Sequence, residues 1–566
     1  MQPDFKLTPD GSRVIYRANE DVGAFVSLHA VELASPGNSV VLSRPFDNNF
    51  TLVLSFALSA DSQEVIYAAD HDVNESFRAY RVSIANPGIA TSLGPELSHS
   101  AADIAQFIVP NPTGTDVLFR DDRELDNEFN LYHVDMAMPE VATRVNDDLT
   151  LNGDINADFQ LSDDGDWALY RVDQRFDNVQ ELYLKDLTSS APAVRISPTL
   201  PGGGNVESGY VFTPDGLGVV FRMDYEFNNK WELFYVALAD PGTLVELTPI
   251  ENQEDVLGFR LDGVGNVYFV ADLDTNDVFE LYMFDLAAPE TITKLSAPLQ
   301  ANRDVNGNRF EVSADGSRVV YVADNDVDNL QTLYAVDTGD PEDATEVGPT
   351  VVAGGDHVQT KVADDGSFVV FRVDAEVNEQ FELYAYDFGG GGFEKLHQDS
   401  VVNGDVFDFY IVGAAGDQVF FRADHRFNDR FEAFLVDIGD GGNEAAVPED
   451  NANFEDVLGI GASGDGSRLF MIADFDQNDF WEMFYAEAAT PDTATAFSRP
   501  LPNNNFDIRE FAGVRSTTDG SRVFHTGDLN GNEIFECYAS EPGNPDVSID
   551  VGPQSNGHRV VDLSAF

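Results

Sequence analysis

Cysteine is nearly absent from this 566-residue chain. Cys537 stands alone, which excludes an internal disulfide framework and any zinc site built from cysteines. Lysine is scarce as well, with six against 26 arginines, and together these 32 cations face 100 Asp and Glu for a net charge of −68. No Lys/Arg cluster occurs, so a field of this sign repels phosphate backbones and anionic head groups, and nucleic acid is excluded as a partner. Also missing is any apolar run approaching the roughly 18 residues that a membrane span needs. The opening MQPDFKLTPDG lacks the basic and apolar regions of a signal peptide, so targeting is expected to be absent or already removed. Sustained helical spacing is not found over any ten residues.

What is present is a sequence with 43% apolar residues, 11% aromatics, 46 Gly and 26 Pro, ample for a folded protein rich in turns. It repeats. The turn position of a recurring element falls at Gly11, Ser62, Gly114, Gly165, Gly216, Gly265, Gly316, Gly366, Gly416, Gly466 and Gly520, ten intervals spanning 509 residues, or about 51 each. The array runs continuously over 1–566, with units starting near 5, 56, 107, 159, 210, 259, 310, 361, 409, 460 and 511. Each unit reads alike: an aromatic or apolar start (Phe5, Phe56, Phe107, Phe159, Tyr210, Phe259, Phe310), a turn, a run such as RVVYVAD, an acidic loop, a second run such as FELYMFDL, and a short last segment such as ITKLS. Alternation of period two, enrichment in Val, Ile, Phe and Tyr, and Asp-Gly or Gly-Gly punctuation predict four strands per unit. A unit of this size with four antiparallel strands predicts an all-β fold, a β-propeller whose blades bury their faces against their neighbours.

The elements F-x-L-S-x-D-G-S-R-V-V-Y-x-A-D, met at 310–324 with Val312 in the Leu place, and D-x-D-x-N-x-x-F-E-L-Y, at 272–282, resemble the TolB-type or PD40 repeat of bacterial WD40-like β-propellers. The resemblance covers essentially the whole chain. It implies fold above all, together with a periplasmic, secreted or cell-surface location and a role as an interaction scaffold. Some relatives attach a propeller to a peptidase, but no G-x-S-x-G elbow occurs here. Eleven units exceed the usual four to eight blades. One ring of eleven is favoured because no linker interrupts the array, the shortest interval (Gly216 to Gly265) being still 49 residues. Tandem rings of five and six blades, or an open superhelix, are the alternatives. The tail at 552–566 mimics the end of one unit and the start of the next, and is expected to help close a ring.

The loop between second and third strands carries the main chemical candidates. Asp70, Asp72 and Asn74 recur as Asp272, Asp274 and Asn276 and as Asp474, Asp476 and Asn478, with Glu in the middle at Asp224, Glu226, Asn228 and at Asp374, Glu376, Asn378. Hard oxygen ligands at alternate positions point to Ca²⁺. The competing reading is an Asx-stabilised hairpin. Arg175 and Arg426 hold the middle position in two units, where a cation site should not tolerate them. A second acidic position precedes the first strand at Asp103, Asp154, Asp255, Asp304, Asp356, Asp405, Asp456 and Asp507, with Asn205 once. Both sets should decorate one rim, as a site for divalent cations or a cationic partner, or as a solvated acidic surface.

Enzyme signatures are weak. Histidines 29, 71, 99, 133, 357, 397, 425, 525 and 558 show no metalloprotease spacing and read as isolated surface residues. Carboxylate pairs are too numerous to single one out. Cys537 occupies the Leu position of FELY and reads as a small buried hydrophobe, and Gly389 to Gly392 lacks the Lys-Ser/Thr of a P-loop. The expectation is a non-enzymatic extracytoplasmic propeller that scaffolds a protein or glycan partner and holds calcium in its acidic loops. A propeller hydrolase or lyase acting on an extracellular polysaccharide is the alternative.

Overall fold

The computed structural model describes residues 5–18, 26–32, 39–45, 52–73, 76–94, 104–150, 153–200, 204–225, 229–248, 255–288, 291–299, 303–324, 331–413, 416–447, 456–474, 481–496, 515–517, 520–527, 536–540, 542 and 548–550. Asn74, Glu226, Asn228, Asp476 and Asn478 of the calcium motif, Asp103 and Asp507, and the tail 552–566 lie outside these residues, as does the side chain of Cys537. Every strand described belongs to one of eleven four-stranded sheets, and in each the strands pair in sequence order. Pairing is antiparallel, as in the fourth repeat, where Gln160–Leu161, Trp167–Val172, Glu181–Asp186 and Val194–Arg195 form one meander. These are β-propeller blades, and the expected all-β class holds. Among the described residues no helix is long and apolar enough to cross a membrane.

The chain divides into two compact units, Met1–Gln253 with five of the sheets and Glu254–Ile549 with six. Within each unit the apolar cores lie between consecutive sheets, because both faces of a blade alternate apolar side chains. In the first unit Leu169, Leu182 and Leu184 of the fourth repeat pack with Phe221, Phe234 and Val236 of the fifth. In the second, Val370, Leu383 and Ala385 pack with Phe421, Phe434 and Val436. Cross-strand rings reinforce the two middle strands, such as Tyr170 with Tyr183 at 5.7 Å between centroids.

The recurring turn between first and second strands explains its sequence. At 313–318 the Ser313 hydroxyl and the Ser317 N–H both donate to Asp315 Oδ1, at 2.6 and 3.0 Å, and Gly316 N–H donates to Ser313 O at 2.9 Å. Gly316 has φ +71°, and a Cβ there would collide with the Asp262 carboxylate of the preceding repeat, so turn chemistry and blade packing both require glycine.

Candidate functional site

Within each unit the loops after the second strand and before the first meet, and they meet through backbone N–H groups that donate to aspartate carboxylates. The leading Asp of the acidic loop is buried in nearly every described repeat, with Asp272 at 0% and Asp374 at 1% exposure. Its two oxygens serve two different loops. Asp173 Oδ1 accepts from Asp154 N–H at 2.7 Å and its Oδ2 from Asn178 N–H at 3.1 Å. Asp272 accepts from Asp255 N–H and, at 2.8 Å, from Asp277 N–H. Asp224, Asp374 and Asp424 repeat the pattern with Asn205 and Asn229, Asp356 and Glu379, and Asp405 and Asp429. Asp70 and Asp474 accept from Leu52 and Asp456 in the same way. The residue five places on is left-handed, with φ +63° at Asn178, +60° at Asp277 and +63° at Glu379, which curls the loop back over its own carboxylate.

In four described repeats the rim Asp before the first strand completes the chain of bonds toward the preceding repeat. Asp154 Oδ1 accepts from Phe129 N–H at 2.9 Å, Asp304 Oδ1 from Phe279 N–H at 2.8 Å, Asp405 Oδ1 from Phe381 N–H at 2.7 Å and Asp456 Oδ1 from Phe431 N–H at 2.9 Å. Asn205 Oδ1 does the same for Gln180 N–H, so an amide suffices where only one acceptor is used. Burial, with the neighbouring latch carboxylate adding to it, pushes the Asp154, Asp304 and Asp405 carboxyls above the ordinary range despite the backbone donors.

Middle positions of the acidic loop pair with cations. Asp274 meets Lys294 Nζ at 3.0 Å and Glu376 meets Lys395 Nζ at 2.9 Å, both lysines coming from the fourth strand of the same sheet. Asp72 takes Arg44 at 2.7 Å, Arg78 at 3.1 Å and the Tyr80 hydroxyl at 2.9 Å. Burial works against its charge, but the Tyr80 and arginine contacts outweigh it and hold the carboxyl below its usual value. Where the middle residue is Arg, the charges exchange places: Arg175 reaches the buried Glu181 at 3.4 Å, and Arg426 the buried Glu444 at 3.5 Å. Asn276 donates to Asp277 Oδ2 at 2.6 Å. Asp272, Asp274 and Asn276 thus face three different partners. Among the described residues no three of His, Cys, Asp and Glu are grouped to hold a metal ion.

Two features escaped the sequence. The position three after the leading, latch-forming Asp carries exposed apolar side chains in five described repeats, Val73 (46%), Leu125 (58%) and Phe176 (53%) in the first unit and Val377 (53%) and Phe427 (55%) in the second, while the sixth repeat places Thr275 there. Their regular phase was visible, but strand and loop aromatics look alike in sequence. The histidines correct the surface reading, since His29, His71, His357, His397 and His425 are all at most 3% exposed. They substitute at buried repeat positions, and most find polar partners there, such as Ser27 for His29 at 2.8 Å and Glu444 for His425 at 3.2 Å.

No family model matches the chain, and no curated protein matches it. Among solved structures, Porphyromonas gingivalis dipeptidyl peptidase 4 aligns at 12% identity and a TM-score of 0.42, over 74% of this chain and 64% of that one. A putative TolB from Agrobacterium tumefaciens aligns at 15% identity and a TM-score of 0.25, over 46% and 84%. A eukaryotic initiation factor aligns at 10% identity and a TM-score of 0.40, over 86% and 96%. The chain spans less than two thirds of the first of these. The blade architecture rests on the sheet topology described above.

Proposed function

We propose that this protein is a non-enzymatic, extracytoplasmic binding scaffold whose acidic-loop rim docks a basic, partly apolar protein. The observation that carries this reading is the apolar row at one phase, Val73, Leu125 and Phe176 in one unit and Val377 and Phe427 in the other, with exposed carboxylates such as Asp126, Asp177 and Glu379 beside it and Arg175 and Arg430 over the Phe176 and Phe427 rings at 5.4 and 4.8 Å. Large apolar groups cost free energy in water, and side chains repeated at one phase of successive blades make a surface in place of scattered exceptions. The latch carboxylates fix each loop in advance, which lowers the entropy lost on binding. A net charge of −68 selects a cationic partner and speeds the encounter, while the apolar row supplies contact area. The extracytoplasmic placement belongs to the same reading and is supported by the resemblance of the repeat to TolB-type units.

The test uses a peptide of alternating Lys and Leu and one of Lys alone, with binding to the full chain followed by fluorescence anisotropy at about 0.15 M salt. The Lys-Leu peptide is expected to bind, and Phe176→Ser or Phe427→Ser to weaken it several-fold. Equal affinity of the two peptides, or no effect of either substitution, would reduce the rim to a diffuse charged surface and overturn the reading.

A further inference from the structure

A repeat makes departures visible. The residue that makes the first bridge to the end of the second strand is Val53, Ile155, Val206, Val256, Val305, Val406 and Val457 in seven repeats, as the opening residue of the first strand or, for Ile155 and Val206, as an isolated bridge before it, each at most 1% exposed. The eighth repeat places His357 there. It is equally buried, and neither ring nitrogen has a hydrogen-bond partner, although its ring packs against Phe371 at 5.6 Å. Buried polar atoms without partners are costly, and the packing of the other repeats shows that this position needs only an aliphatic side chain. His357 lines a cavity of about 240 Å³ in the second unit, and Arg260 and Arg309 line the same cavity.

Both arginines are held by neutral groups. Arg260 lies over the Phe310 ring at 5.2 Å, and Arg309 Nη1 donates to His357 O at 2.5 Å and to Gln331 Oε1 at 3.4 Å. Elsewhere the bond to this backbone carbonyl comes from the second strand, as from Arg120 to Ile155 O at 2.5 Å and Arg171 to Val206 O at 3.1 Å. In the seventh repeat Val322 occupies that second-strand place, and Arg309 from the first strand takes over the bond. Arg260 against a ring, and Arg309 on a carbonyl and an amide, are both exposed and held without a carboxylate, in a chain where Lys294, Lys395, Arg144 and Arg195 all sit on carboxylates. Glu311 also lines the cavity, its Oε2 accepting Val362 N–H at 3.3 Å, so the two arginines still leave the cavity net positive. Val358, 41% exposed, and Phe310 give it apolar wall.

We infer that this cavity binds a small organic anion, a carboxylate on an apolar body, with Arg260 and Arg309 facing the carboxylate and His357 supplying a polar contact beside it. The two guanidiniums offer paired N–H donors suited to a planar carboxylate. Burial, and then the Arg309 charge, hold the His357 imidazole down at about 3, so it is neutral at physiological pH and offers one donor and one acceptor. The inference is independent of the rim, which is acidic and seeks a partner of opposite sign.

The test titrates the full chain with benzoate, with benzamide as a neutral isostere and with inorganic phosphate, by isothermal calorimetry backed by saturation-transfer NMR. Benzoate is expected to bind with a dissociation constant of about 1 mM, and Arg260→Gln to weaken it about tenfold. His357→Val restores the residue of the other repeats and removes two unpartnered buried nitrogens, so it should keep or raise the melting temperature and still weaken benzoate. Arg309→Gln also removes a bond between sheets and is read beside these two variants. Unchanged benzoate affinity in a folded Arg260→Gln protein, benzamide binding as tightly as benzoate, or phosphate binding in place of benzoate would each overturn the inference, as would no benzoate signal at about 20 mM.

Discussion

The backbone N–H of Asp154 donates to Asp173 at 2.7 Å while the Asp154 carboxylate accepts from Phe129 at 2.9 Å, so the third repeat is tied to the fourth through two aspartates in series. The link runs on through Asp173 Oδ2 to Asn178, and from Gln180 to Asn205 and Asp224 in the next repeat. Part of the acidity of this chain is therefore structural. Buried carboxylates at fixed phase satisfy backbone N–H groups that the irregular rim would otherwise leave without partners.

The two aspartates of this link should respond differently to the same substitution. Asp173 uses both oxygens on backbone donors, so Asp173→Asn turns one acceptor into a donor facing another donor and should cost about 2–4 kcal/mol. Asp154 uses one oxygen, as Asn205 does in the following repeat, so Asp154→Asn should stay within about 0.5 kcal/mol of wild type. Denaturant midpoints of the two variants check this, and equal losses would remove the distinction between the two roles.

The same geometry bears on calcium. Binding an ion at Asp272 would mean exchanging two backbone donors for the cation, and at Asp274 displacing Lys294. Asp272→Asn is therefore expected to lower stability by the same amount in EDTA and in millimolar calcium, and Asp274→Asn to change it by less than about 1 kcal/mol. A calcium-dependent rise in the wild-type melting temperature that both substitutions abolish would restore an ion to this loop.

The all-β class, turn chemistry and strand placement were legible in the sequence, because glycine at positive φ and period-two alternation leave direct marks, as at Gly316 and in the Tyr170 and Tyr183 strands. The phase of the rim aspartates was legible too. Their partners were not: Asp272 is occupied by the N–H of Asp255, and every residue except proline carries such a donor, so no side-chain pattern announces it. Arg175 and Arg426 were the readable warning, since a position that accepts either charge is set by its ion-pair partner. His357 was visible as a departure only once the register showed which valines it replaces.

Stability should peak in mildly acidic solution. The buried Glu382 carboxyl is pushed up from 4.5 to about 7 by burial, against which the Ala375 N–H at 2.9 Å works only in part. A raised folded value gives a contribution fully present below 4.5 and lost as pH rises through 7. The turn aspartate Asp315 runs the other way, held at about 2 by the Ser313 hydroxyl and the Ser317 N–H, and its contribution is present above 3.8 and lost as pH falls through 2. Denaturation midpoints should therefore rise from pH 8 to about pH 5 and fall below about pH 3, and Glu382→Gln should flatten the upper limb. A wild-type midpoint constant between those first two values would contradict the assignment to Glu382.

Salt should raise the melting temperature. With 100 acids against 32 cations, carboxylates outnumber cations about three to one, and their mutual repulsion acts over a Debye length that shrinks from about 30 Å at 0.01 M to about 10 Å at 0.1 M salt. Screening also weakens pairs such as Asp274 with Lys294 and Glu376 with Lys395, but exposed pairs are worth only about 0–1 kcal/mol each, and at about 3 Å they lie well inside either Debye length. Repulsion relieved over many longer distances should therefore outweigh attraction lost over a few short ones. A net gain of about 2 kcal/mol would move the melting temperature by about 4–8 °C for a unit of this size. Scanning calorimetry at the two salt concentrations, in EDTA so that divalent ions play no part, decides the matter. A melting temperature that does not move would mean that the rim carboxylates are locally compensated, which the unequal charge count makes difficult to arrange.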